Sequence, residues 1–186
     1  MRLVKLEGGD FELREIDDSD LRILAAVPRE ADPTGHPSAE DRLFPDPLAE
    51  HDRPGETADP GGTASENDGI PEEAERFLDD WHSYVRPDLK EAFDGAVAVF
   101  AADLRRAEPD PEPEGGRYRL RVPAQHAGAW LSTLNQARLV MNAKHQFPES
   151  DDLRDLAQLV VSGKLEPFLL NRFYAEIQEW LIYHYL

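Results

Sequence analysis

Asn135 and Arg138 stand three residues apart in a stretch with helical periodicity, with Trp130 and Leu134 on adjoining turns. Side chains at i and i+3 are neighbours on a helix surface, so the pair can address a common partner. A guanidinium can grip a carboxylate or phosphate through two parallel N–H bonds, with Asn135 orienting the group. The structural alternative for the same residues is more economical. Arg138 then pairs with a helix C-terminus or an acid and Asn135 bonds a loop carbonyl, because polar groups near a core must be satisfied. Arg117, Arg119 and Arg121 alternate with Tyr118, Leu120 and Val122, so the three arginines project from one face of a strand. They form either a site for an anion or acidic peptide or, more often, a solvated face offset by Glu12 and neighbouring acids. The candidate binding residues are therefore Arg138, Asn135, Trp130, Arg119 and Arg121.

Catalytic chemistry finds little support. The chain has no cysteine, which excludes a thiol nucleophile, a disulfide scaffold and any Cys-ligated metal. GxSxG, SxxK, GxxxxGK[ST] and GxGxxG are absent. The six histidines include no i, i+4 pair. Asp79-x-x-His82 could place two ligands on one helix face, but a di-iron bundle needs a second such motif and further carboxylates. His126 and His184 read as ordinary surface or packing residues. Nothing selects a glycosidase-type carboxylate pair from so many acids. The expectation is a protein without catalytic machinery, cofactor or metal.

The 186 residues include 38 acidic and 20 basic side chains, net −18. The acidity is concentrated: 28–116 holds 24 acidic against 8 basic residues, net −16, whereas 117–186 holds 7 against 8, net +1. That balance disfavours nucleic acid as a partner. No apolar run approaches the ~18 residues of a membrane span, and no signal-peptide h-region follows the N-terminus. The chain reads as cytoplasmic, with no membrane partner.

The elements that position the candidates follow from periodicity. Val4, Leu6, Phe11 and Leu13 alternate around Gly8-Gly9, which predicts a type I′ hairpin pairing Val4 with Leu13, Lys5 with Glu12 and Leu6 with Phe11. A short helix from about Ser19 to Val27 should stop at Pro28. Residues 28–69 read as mostly loop, with 46–70 a flexible acidic Pro/Gly-rich insertion too poor in apolar surface to order itself. Arg42-Leu43-Phe44-Pro45 is the exception, an apolar island expected to dock on the core. Pro71 opens a helix with the stripe Ala74, Phe77, Leu78, Trp81 and Val85. Pro87 kinks or restarts it, and Leu89, Phe93, Val97, Phe100 and Leu104 continue the pattern. After an acidic linker, 108–116, the arginine-rich strand joins the hairpin as a third strand.

Pro123 opens a long helix to about His145. Ser150, Asp151 and Asp152 cap another that ends at Gly163, and Pro167 starts the last. That last helix carries Phe173, Ile177, Trp180 and Tyr185, either as core, the favoured reading, or as the seam of a homodimer. The fold expected for 1–186 is a single, mainly α domain (α+β). About five or six helices pack on a small three-stranded antiparallel sheet.

Three blocks of residues resemble one known family. They are the hairpin with Asp20-Leu21 and Leu24, then Arg42-Leu43-Phe44-Pro45 ahead of an acidic helix. The third is the strand followed by Trp130-Leu131, Leu134-Asn135, Arg138-Leu139, Asp151-Asp152 and Gln178 with Trp180-Leu181. Together they are similar to the largely actinobacterial domain of unknown function family 2017. The family pattern has Asp after the Asn, where this chain has Gln136. The resemblance implies a small, mainly helical bacterial protein and carries no activity with it. The residues leave two expectations: a non-enzymatic adaptor or regulator that binds an unidentified protein, or a small-anion or small-ligand domain centred on Arg138 and Asn135.

Overall fold

The computed structural model describes residues 1–47, 72–111, 117–148 and 153–185. Most of the expected insertion, most of the acidic linker and the Ser150–Asp152 cap lie outside the described residues. What is described is a set of helices on one small antiparallel sheet, as the periodicity predicts.

Strands β1 (Arg2–Lys5) and β2 (Phe11–Ile16) form the N-terminal hairpin. Its loop has three residues rather than two. Leu6 N–H bonds Asp10 O at 2.8 Å and Gly9 N–H bonds Leu6 O at 3.2 Å, with Gly8 and Gly9 both near φ +90°. The extra loop residue moves the register by one from the type I′ expectation, so Leu3 pairs with Leu13, Val4 with Glu12 and Lys5 with Phe11. A slip of one exchanges the faces of a strand, and this register sets Leu3 beside Leu13 against the core.

β4 (Tyr118–Val122) pairs with β2, and the two-residue β3 (Glu108–Pro109) extends its far edge, giving the order β1-β2-β4-β3. The first two residues of the expected linker are thus a fourth strand. Leu13 pairs with Leu120 but Ile16 with Tyr118, so Arg14 and Glu15 together oppose Arg119. This is a β-bulge, with Glu15 at φ 56°. The extra residue lets Leu13 and Ile16, three apart, both face inward and be fully buried.

Helix α1 (Asp18–Glu30) starts at a capping box. Asp17 Oδ1 accepts from Ser19 and Asp20 N–H at 2.8 Å, and Asp20 Oδ2 accepts from Asp17 N–H. Pro28 does not stop it. The ring forfeits one bond, to Leu24, and the ladder closes again with Ala31 N–H on Val27 O at 2.9 Å. Helix α2 (Pro37–Leu43) stands where loop was expected, with Pro37 pre-set for its first turn, and it docks the apolar island. Leu43 and Phe44 are buried with Ala39 and Val140, while Arg42 and Pro45 stay exposed.

Helix α3 (Glu72–Asp80) runs through a π-turn (Trp81–Val85) into α4 (Arg86–Leu104). Arg86 N–H reaches back five residues to Trp81 O. The widened turn lies just before Pro87, whose ring removes a donor and crowds the carbonyl four residues earlier. Helix α5 (Ala127–His145) is the central element, packed by α1, α2, α4 and α7. Helix α6 (Leu153–Val161) ends in a Schellman motif: Gly163 takes φ +69°, and Lys164 N–H bonds Leu159 O at 2.9 Å. Helix α7 (Leu165–Tyr185) buries Phe168, Tyr174, Ile177 and Leu181 and leaves Leu169, Trp180, Ile182 and Tyr183 exposed.

Candidate functional site

Arg138 projects from α5 onto α7, half-buried. Its Nε donates to Asn171 Oδ1 at 3.4 Å and a terminal nitrogen to Gln178 Oε1 at 2.5 Å. Both amides are anchored in return: Asn171 Nδ2 donates to Arg138 O at 3.2 Å, and Gln178 Nε2 to Leu131 O at 3.1 Å. Four bonds therefore cross-link the two helices. Burial lowers the guanidinium's pKa, and the Glu179 charge opposes that. Among the described residues no carboxylate lies within ion-pair distance of Arg138. Asn135, one turn earlier, is exposed, and its side chain makes no hydrogen bond among those residues.

Trp130 does not join them. It lies in the main core, its ring 4.2 Å from Phe100 and edge-on to Phe11 at 5.8 Å, centroid to centroid. Its indole N–H donates to Asp103 Oδ2 at 3.0 Å. Asp103 is fully buried and also receives Arg106 at 3.2 Å, while His126 Nδ1 stands 2.9 Å away.

The arginines of β4 are each matched by an acid. Arg119 pairs with Glu108 at 2.7 Å, Arg121 with Asp10 at 2.8 Å and Arg117 with Glu15 at 3.6 Å. Asp10 also accepts Ala124 N–H at 3.0 Å. That bond, followed by Arg121, holds its carboxyl below the usual carboxylate range. The five candidate residues thus fall into three separate settings: a helix cross-link with an exposed amide beside it, a buried indole, and a sheet face of paired charges.

The Asp103–His126 contact escaped the sequence reading. One signal was there: Asp103 follows Phe100 at i+3 and precedes Leu104, within the apolar stripe of α4 rather than beside it. Among the described residues no three His, Asp or Glu side chains gather as a metal site. No helix of the described residues is long and apolar enough to cross a membrane.

Among the described residues, a different surface carries exposed apolar side chains. Along α3 and the π-turn, Phe77, Trp81, Tyr84 and Val85 stand at i, i+4, i+7 and i+8, and Phe77, Tyr84 and Val85 are 50%, 67% and 42% exposed. Trp81 Nε1 has no hydrogen-bond partner among the described residues. The main packing of α3 is on the π-turn that continues it. Exposed Glu73, Glu75, Asp79 and Asp80 flank the stripe.

The fold is a layer of helices on a small antiparallel sheet. The family described as Domain of unknown function (DUF2017) matches residues 1–184, and the chain belongs to that family. No curated protein and no solved structure matches it.

Proposed function

We propose that this is a non-enzymatic, cytoplasmic bacterial adaptor or regulator that binds another protein through the arm formed by α3 and the π-turn. The observation that carries this reading is the stripe of Phe77, Tyr84 and Val85, each more than two-fifths exposed on α3 and the π-turn. Contiguous exposed apolar surface rimmed by acids is a feature of docking sites. The flanking carboxylates select the partner's chemistry, a basic amphipathic helix laid along the stripe.

The test is quantitative capture from native lysate by full-length bait, with Tyr84→Asp and Phe77→Asp as variants. Both positions are exposed, so melting temperatures should hold. The expected result is one specific partner, lost from both variants and weakened by salt. Equal capture by wild type and variants would overturn the reading.

A second reading, a small-anion site centred on Arg138 and Asn135, rests on the guanidinium having neutral amides as its hydrogen-bond partners. It requires anion-dependent thermal stabilisation that disappears in Asn135→Ala; stabilisation identical in that variant would remove it.

A further inference from the structure

A cavity of about 590 Å³ opens between the C-terminal end of α1 with the loop that follows it, α2, α4 and α5. Its size lies within the range of small-molecule sites, roughly 300–1,000 Å³. Three features of its lining restrict what it can hold.

The wall is aromatic and fixed. Phe44 and Phe93 stand 5.5 Å apart, centroid to centroid, with ring planes tilted by 35°, and the Arg86 guanidinium lies 5.9 Å from the centre of Phe44. Arg86 is itself held by Glu40 at 3.0 Å. Such a wall favours a flat apolar body.

At the floor, Gln136 is 4% exposed. Its amide donates once, to Ser132 Oγ at 3.2 Å, and makes no other hydrogen bond among the described residues. A buried amide has capacity for more, so the rest of it is available to a guest.

The rim carries both signs of charge. Lys90 and Asp94 lie one turn apart on α4, both exposed and both without an ion-pair partner among the described residues. Asp32 faces them from the loop after α1. The hydroxyl and N–H of Thr34, ahead of Lys144 and Lys90, hold its carboxyl below the usual range. A simple anion would meet Asp32 and Asp94, and a simple amine would meet Lys90. A compound carrying both charges satisfies the rim.

We propose that this cavity binds a small zwitterion with an aromatic body, of the class of an aromatic amino acid, with Lys90 taking its carboxylate, Asp94 and Asp32 its ammonium, and Phe44 and Phe93 its ring. This site is separate from the arm and does not depend on it.

The test is an NMR titration of the isotopically labelled full-length protein with L-phenylalanine, phenethylamine and 3-phenylpropionate. Expected are saturable shifts centred on the Gln136 side-chain amide and Phe93, with a Kd for phenylalanine below about 1 mM and both single-charge analogues roughly tenfold weaker or more. Lys90→Met should bring phenylalanine down to the level of phenethylamine, and Asp94→Asn towards that of 3-phenylpropionate. Both substituted side chains are exposed, and unchanged spectra elsewhere will report an intact fold. No saturable shift up to about 10 mM phenylalanine, or single-charge analogues that bind as well as the amino acid, would overturn the proposal.

Discussion

The indole N–H of Trp130 donates to Asp103 Oδ2 at 3.0 Å, and both side chains are sealed from solvent. The same carboxylate receives Arg106 and contacts His126, so one acid ties the last turns of α4 to the start of α5. Arg106 is largely exposed and can turn to solvent, so the group that removal of the carboxylate strands is the buried Trp130 N–H. Asp103→Ala should lower unfolding stability by about 1–3 kcal/mol. Trp130→Phe keeps most of the apolar surface and should cost less than the alanine change. Urea unfolding at unchanged m-value checks both.

Arg138 makes a different prediction because its partners are neutral. Its fork addresses Asn171 and Gln178 together, a geometry an ammonium cannot reproduce. Arg138→Lys should therefore behave more like Arg138→Ala than like wild type, with a loss of about 1–3 kcal/mol. A double-mutant cycle with Gln178→Ala should show coupling between the two positions. Additive losses would mean that the cross-link contributes nothing.

Tyr174 sets the alkaline limit. It is fully buried in α7, with its hydroxyl 3.4 Å from Ile23 O, and burial pushes its pKa from 10.0 up to about 12. The folded value is raised, so the unfolded chain releases the proton first. The stabilisation is complete below pH 10 and is lost as pH rises towards about 12. Tyrosinate absorbance followed alongside unfolding should show one tyrosine that ionises only as the protein opens, and Tyr174→Phe should remove that step.

Asp10, Asp17 and Asp32 contribute on the acid side with the opposite sign. Hydrogen bonds hold all three below their ordinary 3.8. The unfolded chain then takes up protons first, so their contribution is present above pH 3.8 and disappears as pH falls through the lower folded values. Carboxyl-carbon NMR titration should place their midpoints under 3.8. Arg121→Ala should raise the midpoint of Asp10 without fully restoring it, because Ala124 N–H remains.

Period-2 and helical patterns were enough to locate the hairpin, the arginine strand and the longer helices, since burial of one face imposes those periods. Helix α2, seven residues long and read as loop, was too short to show one. Loop geometry was not legible to the same degree. Whether Gly8-Gly9 closes a two- or three-residue loop depends on where Leu3 finds the core, a tertiary matter. The bulge at Arg14 and Glu15 likewise needs β4 beside it. Pro28 looked like a stop because the pattern could not show that α1 tolerates one missing bond. At the candidate site, Arg138 was visible as a cation on a helix, but its amide partners lie 33 and 40 residues away on α7. Trp130 was a candidate binding residue beside Arg138, and its place in the core depends on Phe100 and Asp103 of α4.

Docking of a basic helix on α3 and the π-turn, as proposed, places the partner within reach of Tyr84. Photo-crosslinking from a benzophenone side chain placed at Tyr84, followed by sequencing of the linked peptide, addresses it most directly. The expected result is one intermolecular product whose peptide is basic, amphipathic and helical in pattern, absent when Phe77 is changed to Asp. Crosslinks confined to this chain's own residues, or an acidic or patternless peptide, would contradict it.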